Sequence, residues 1–418
     1  MSVRNCDRMI IKGPAYIDGE IVTRYIGIDD GKISFVKRGI KSTENIFKWD
    51  GVILPAGTDM HVHFRDPGGT HKEDFYTGTL SAVHGGITTV VDMPNNDPLI
   101  DSLKRLKNKI DSCSKKACID FGLYGMLSRD VKNMLEETNL FKVFLAGTTG
   151  TGKAQNLKKE AKIVLDSEGL VAFHCEDEDM FNEPGDDLEG YNNERSVESE
   201  VHAIKSLNGW PDGKKHVCHI STLEGLRTAK TLDLSVEATP HHLFFSDEVM
   251  LGPFGKVNPP LRGDIDHFTL WEHLERGFFD IMASDHAPHL ESEKNVSFSD
   301  APAGLPGVET MYPLMINSVA MGKIGLSTVV DLICTNPARM LGIKKGKIQK
   351  GYHADLAFFD FRELEPVMAE RLHSKCGWSP YEGFSCIYPR HVISRGEFLV
   401  TDRKFTGSKG RGKYLKNL

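Results

Sequence analysis

Gly169-Leu170-Val171-Ala172-Phe173-His174 is a short apolar run that closes on a histidine. Such a run, bounded by glycine and a polar end, suits a strand buried on both faces, as in a parallel sheet. The form recurs at 88–93, 142–145, 216–220 and 280–283. Between these runs lie longer mixed stretches with helical spacing, 104–113 and 197–207 among them. Strand-then-helix alternation through residues 55–344 predicts an α/β fold of parallel βα units, and the length suits a closed (β/α)8 barrel of the TIM type. A doubly wound open sheet competes with it. The barrel is favoured because several runs end in His, Lys or Asp, and a barrel brings strand ends to one rim, where active sites are built.

Outward from this region the texture changes. Residues 9–11, 15–17, 25–28 and 32–36 read as short strands, with Asp18-Gly19 and Asp30-Gly31 as hairpin turns. Similar texture returns at 347–359 and 391–400. The expectation is that residues 1–54 and 345–418 pair as a small β-sandwich domain beside the 55–344 barrel. The tail, 404–416, is rich in Lys and Gly and is expected to fray.

Composition narrows the function. The 418 residues carry 51 basic and 58 acidic side chains, with no basic block dense enough to track a phosphate backbone, so a nucleic-acid partner is not expected. Met1 to Asp7 lacks the pattern of a signal peptide, and no apolar stretch approaches a membrane span. The eight cysteines form no C-x-x-C pair and read as reduced thiols of a cytoplasmic protein.

The chemistry starts at Asp59-Met60-His61-Val62-His63-Phe64-Arg65-Asp66-Pro67-Gly68. In a strand, i and i+2 share a side, so His61 and His63 project together and can hold one divalent ion. Alone, such a pair reads more often as two satisfied polar histidines on a half-exposed strand. Other candidates fall on later strand ends: Lys142, His174, His219 and Asp285. Gathered on one rim, so many ligand-type groups would repel or go unsatisfied without a cation.

Together these segments resemble the cyclic-amide branch of the amidohydrolase superfamily, and within it the dihydroorotase family. The similarity rests on DMHVHFRDPGGTHKEDF (59–75), GGITTVVDMPNNDP (85–98), FKVFLAGTTG (141–150), HCEDE (174–178), CHIST (218–222), EATPHHLFF (237–245), VNPPLR (257–262), ASDHAPH (283–289), APAGLPGVET (301–310) and SKCGWSPYEG (374–383). The resemblance implies a binuclear zinc site, with His61 and His63 on one ion, His174 and His219 on the other, and Asp285 completing the first. Lys142 would bridge the two ions as an N6-carboxylated lysine. No carboxylate occurs in residues 138–152 to take its place.

The implied reaction is reversible hydrolysis of dihydroorotate to N-carbamoyl-aspartate, in pyrimidine biosynthesis, by a zinc-activated bridging hydroxide with Asp285 moving the proton. Allantoinases and hydantoinases share such ligands, so the ring carboxylate must decide the substrate. Arg65 offers the two parallel hydrogen bonds that hold a carboxylate. The resemblance adds Asn95 and His289 as carboxylate contacts, and Asn258 with backbone near 305–307 as ring contacts. A salt bridge from Arg65 to Asp66 or Glu73 is the plainer alternative. A related cyclic amidase of the allantoinase or hydantoinase type, or a non-catalytic scaffold, remain as other readings. A homodimer and association with a carbamoyltransferase stay open.

Two further motifs carry less. The run from Gly147 through Gly150 and Gly152 to Lys153 is followed by Ala154 where a phosphate loop needs a hydroxyl, which rejects an NTPase. Of adjacent His241 and His242 at most one can face the site from a strand, so a helix start or outer support is expected.

Overall fold

The computed structural model describes residues 9–41, 46–148, 151–152 and 157–418. The 1–7 segment with Cys6, and Gly150, Lys153 and Ala154 of the glycine-rich run, lie outside the described residues. The first strands are β1 (Met9–Ile17), β2 (Glu20–Asp29), β3 (Lys32–Lys37), β4 (Ile46–Lys48) and β5 (Val52–Pro55). Both Asp-Gly pairs are the two-residue turns between β1, β2 and β3. Asp18 and Gly19 have φ of 49° and 92°, and Asp30 and Gly31 have 46° and 71°. That left-handed pair of residues matches the twist of the flanking strands.

The central strands are β6 (Gly57–Val62), β7 (Ile87–Asp92), β8 (Asp120–Leu123), β9 (Gly125–Met126), β10 (Leu140–Phe144), β11 (Leu170–His174), β12 (Lys214–Val217), β13 (Ser235–Ala238) and β14 (Ile281–Met282). They form two parallel sheets, β6-β7-β8 and β9-β10-β11-β12-β13-β14. Only Tyr124 separates β8 from β9, and its N–H still donates to Asp92 at 3.0 Å. At the other edge, Val62 of β6 bridges in parallel to His286, just beyond β14. Helices such as Phe75–His84, Leu103–Ser114, Val197–Ser206 and Leu223–Thr231 connect the strands. Every residue of β6, β7, β10 and β11 is buried, as expected where helices cover a parallel sheet. The fold is thus α/β with parallel sheets.

Helix starts follow ordinary capping. Asp74 accepts from the N–H groups of Tyr76 and Thr77 at 2.8 and 3.0 Å before the helix Phe75–His84. His241 and His242 sit in the short helix Pro240–Phe244, where His242 Nδ1 lies 2.7 Å from Thr239 Oγ1. No helix among the described residues is long and apolar enough to cross a membrane.

The chain closes with β15 (Leu356–Phe359), a hairpin of β16 (Glu365–Pro366) and β17 (Ser385–Cys386), then β18 (His391–Ser394), β19 (Glu397–Thr401) and β20 (Lys404–Phe405). Strands from both chain ends join one nine-stranded sheet, ordered β20-β19-β18-β15-β5-β1-β2-β3 with β4 also on β1. The antiparallel pairing of β5 with β15 links the two ends. Of 347–359, only its last four residues form strand. Lys345 pins this sheet to the parallel strands, its Nζ 2.7 Å from Asp120 and 2.6 Å from Asp355 in a buried triad.

The tail departs from expectation. Tyr414 bridges in parallel to Phe121, the Leu415 N–H donates to Phe121 O at 2.8 Å, and the Tyr414 hydroxyl donates to Glu137 O at 2.8 Å. Residues 412–415 thus run alongside β8 and do not fray. Two apolar anchors, Tyr414 and Leu418, are enough to hold a Lys-rich and Gly-rich segment whose partners lie far away in sequence.

Candidate active site

His61 and His63 project from the end of β6 to one side, as alternation in a strand demands. Their Nε2 atoms lie 3.3 and 3.1 Å from the same oxygen, Asp285 Oδ1. Asp285 comes from the loop after β14. His174, the last residue of β11, puts Nδ1 3.1 Å from His219 Nε2, and the His61 and His219 rings are 5.3 Å apart. β12 ends at Val217, so His219 is carried by the loop beyond it rather than by the strand. All five side chains line one cavity, together with Arg65, Asn95 and Asn258. Lys142 of β10 is fully buried beside them, its Nζ 2.7 Å from Cys218 Sγ. Among the described residues no carboxylate lies within ion-pair distance of that Nζ.

Three of these residues have left-handed backbones although none is glycine: Arg65 (φ 56°), His219 (φ 37°) and Asp285 (φ 46°). Each costs about 1–3 kcal/mol, and such conformations concentrate at functional sites.

Charges in the cavity are strongly coupled. Burial is the largest single influence on His61 and opposes its charge, but the Glu237 carboxylate 2.6 Å from its Nδ1 and the Asp285 carboxylate act together against it and lift its pKa to about 10. Burial pulls His63 down to about 4. Burial likewise opposes the charged form of Asp285, yet His61 and His63 hold it well below the ordinary carboxylate range. His174 is lowered chiefly by burial, against the opposing pull of Glu176.

An outer layer went unrecognised in the sequence. Glu237 orients His61, and Glu176 Oε2 lies 2.8 Å from His174 Nε2. Arg195 grips Glu176 with two bonds of 2.9 and 2.6 Å. Glu176 and Glu237 both stand inside quoted motifs, HCEDE and EATPHHLFF, and a carboxylate near a histidine in such a motif is the signal that could have found them. Arg195 carries no such signal.

The proposed substrate contacts are also near. The Arg65 guanidinium donates to Pro288 O at 3.2 Å and lies 3.2 Å from His289 Nε2. Burial lowers it to about 10, so it stays charged at neutral pH. It is not spent on Asp66 or Glu73: Asp66 pairs with Lys116 at 2.7 Å, and Glu73 lies 3.4 Å from His286 Nε2. His289, set back from the histidine cluster, lines an adjoining cleft of about 400 Å³ with Arg65, Asn95 and Lys72. Asn95 Oδ1 sits 2.7 Å from His63 Nδ1. Asn258 Oδ1 accepts from the Tyr191 hydroxyl at 2.6 Å, and its Nδ2 donates to Thr148 at 3.2 Å. The seven described cysteines are free and buried.

The donor set fits metal ions. Donor atoms of His61, His63 and Asp285 all lie within 4.8 Å of one another, and His219 Nδ1 is buried without a hydrogen-bond partner among the described residues. Imidazoles with one carboxylate are the ligands of zinc-class ions.

Residues 52–380 match the amidohydrolase family. The chain is 36% identical over 436 residues to the dihydroorotase of Methanosarcina mazei, covering 96% of each protein. It is 37% identical over 402 residues to that of Thermoplasma acidophilum, covering 94% of this chain and 95% of the other. Among solved structures it resembles the L-hydantoinase (dihydropyrimidinase) from Arthrobacter aurescens, with a TM-score of 0.91 and 25% identity, covering 98% of this chain and 99% of that one. A dihydropyrimidinase from Brevibacillus agri gives 0.88 and 26%, with 98% of each chain covered. The chain belongs to the amidohydrolase family and, within it, to the group of sequences that these archaeal dihydroorotases represent.

Proposed function

We propose that this protein is a zinc-dependent dihydroorotase that opens and closes the ring of dihydroorotate. The observation that carries the substrate choice is Arg65, a buried, charged guanidinium beside the histidine cluster that pairs with no carboxylate among the described residues. Dihydroorotate differs from a plain dihydropyrimidine by one ring carboxylate, which a guanidinium binds through two parallel hydrogen bonds. His289, and Asn95 through its amide, would complete that contact, and Asn258 would hold the ring.

His61, His63, His174, His219 and Asp285 would hold two zinc ions, with carboxylated Lys142 between them. Carboxylation suits Lys142 because a buried ammonium without a carboxylate partner is costly, whereas a carbamate brings two anionic oxygens to the histidines. When bound, the ions make water acidic enough to serve as a nucleophile at neutral pH and polarise the amide carbonyl. Asp285 then carries a proton on its carboxylate from the attacking water to the departing ring nitrogen. Ring closure runs the same transfer backwards. A scaffold that has lost catalysis is disfavoured because all six ligand positions are filled.

The proposal extends to architecture. The path from β6 to β14, returning through the Val62–His286 bridge, reads as eight parallel strands closed in a barrel, with β8 and β9 counted as one. The nine-stranded sheet reads as a sandwich: β1 pairs with β4 at residues 10–12 and with β5 at residue 15, and Phe47 of β4 packs on Phe358 and Phe398. The division would then be 55–344 against 1–54 with 345–418. Seven buried free thiols suit the cytoplasm, where pyrimidines are made.

Chelation tests the metal requirement. Stripped enzyme should lose turnover of dihydroorotate, and zinc with bicarbonate should restore it. Turnover that survives complete zinc removal would sink the reading. Glu176→Gln, by loosening His174, should weaken zinc binding by about 10–100-fold. Equilibrium titration with zinc measures this, and an unchanged affinity would make Glu176 a partner of Arg195 alone.

A further inference from the structure

Lys72, on the loop between β6 and the helix Phe75–His84, reaches His289 from outside the histidine cluster. Its Nζ lies 3.1 Å from His289 Nδ1 and 3.0 Å from Glu293 Oε1. Across the ring, His289 Nε2 lies 3.2 Å from Ala303 O and 3.2 Å from the Arg65 guanidinium. Packing holds the ring in this pose. His289 is buried, its carbonyl accepts from the Trp378 indole N–H at 2.8 Å, and the carbon edge of its ring faces Gly304, where an added Cβ would come within 3.1 Å of Cδ2.

Each ring nitrogen therefore meets groups whose roles are fixed. An ammonium and a guanidinium only donate, and a carbonyl only accepts. Burial, with the charges of Arg65, Lys72 and Lys294 around it, holds His289 far below the ordinary imidazole range, so the ring is neutral and carries one N–H. With that proton on Nε2, Nδ1 accepts from Lys72 and Nε2 donates to Ala303 O. With it on Nδ1, the N–H would face the Lys72 ammonium, and the Nε2 lone pair would face a carbonyl oxygen. Only the Arg65 contact would then be satisfied, and it would spend an N–H of the guanidinium. Two contacts against one favour the proton on Nε2.

We propose that Lys72 is a positioning residue for substrate recognition: it fixes His289 as the Nε2–H tautomer, so that His289 and Arg65 both present N–H groups to the ring carboxylate of the substrate. The inference rests on the reading of Arg65 and His289 as carboxylate contacts. An ionised carboxylate has only acceptor oxygens, so a lone pair on Nε2 would repel it, whereas an N–H beside the guanidinium adds to its donors. The tautomer of a histidine is set by what its other nitrogen bonds, and here that group is Lys72. The ammonium is needed because Glu293 stands close, with Oε2 3.9 Å from His289 Nδ1. Without Lys72 between them, that carboxylate would draw the ring proton to Nδ1, and Nε2 would turn acceptor toward Arg65.

The test uses full-length, zinc-supplied enzyme with its histidines labelled for nitrogen NMR, the His289 signals being those lost in His289→Asn. Wild type should show the His289 proton on Nε2, and Lys72→Met should show it on Nδ1. In turnover, Lys72→Met should raise KM for dihydroorotate by about 10–100-fold, the worth of one hydrogen bond to a charged group. The change in kcat should be much smaller, as should the loss of kcat/KM on dihydrouracil. Lys72→Arg keeps a donor for Nδ1 and should restore both the tautomer and most of the affinity. Glu293→Gln breaks the ion pair of Lys72 but leaves its bond to His289, so it should keep the tautomer and raise KM far less than Lys72→Met does. A wild type with the proton on Nδ1, a Lys72→Met enzyme that keeps it on Nε2, or a KM rise that Glu293→Gln reproduces in full would overturn the proposal. If the wild type itself shows no preference for dihydroorotate over dihydrouracil, the carboxylate reading beneath it fails instead.

Discussion

Asp285→Asn should lower kcat for dihydroorotate by roughly 10²–10⁴-fold, the usual worth of a positioned acid–base group. Its carboxylate stands 3.1–3.3 Å from both His61 and His63, which supports the proposed role of collecting a proton from the nucleophile. An amide keeps the size and one acceptor oxygen but cannot gain and return a proton at neutral pH. The fold should survive, because Asp285 contacts side chains of the cavity rather than holding a core together. Zinc content of the variant must be measured beside its rate. Full zinc with a large loss of kcat fits proton transfer, whereas near-normal kcat would remove Asp285 from that role. Lost zinc together with lost activity would make it chiefly a ligand.

Arg65→Met should cost about 2–5 kcal/mol of transition-state stabilisation on dihydroorotate, the usual penalty for removing one side of a buried, hydrogen-bonded charge pair. On dihydrouracil, which lacks the ring carboxylate, the loss should be less than about tenfold. The contrast arises because Arg65 is buried and charged, yet among the described residues it bonds to Pro288 O and His289 and to no carboxylate. Methionine keeps much of the apolar volume while removing all five donors. Comparing kcat/KM for the two rings separates recognition from architecture. Equal losses on both would mean that Arg65, with its left-handed backbone, merely shapes the loop after β6.

Much of the site could be read from local sequence because a strand end advertises itself. His61 and His63 obey the two-residue period, and His174 closes an apolar run that is strand from Leu170 onward. Their meeting with Asp285 and His219 required only that parallel strands share a rim. The Asp-Gly turns were equally plain, since they encode φ directly. What local sequence hid was long-range. Arg195 reaches Glu176 from a helix boundary with no motif around it, and the tail is held by β8 through Tyr414 against its own composition. Strand limits also slipped where the backbone turns: the 216–220 run stops at Val217 because His219 adopts a left-handed conformation that no ladder can continue.

The most direct measurement is turnover by zinc-supplied enzyme, in bicarbonate buffer, of dihydroorotate beside allantoin, hydantoin and dihydrouracil. A kcat/KM for dihydroorotate far above those of the three carboxylate-free rings is the expected result. Preference for any of those rings would leave the histidine cluster its chemistry but contradict the assignment of Arg65 and His289 to a substrate carboxylate.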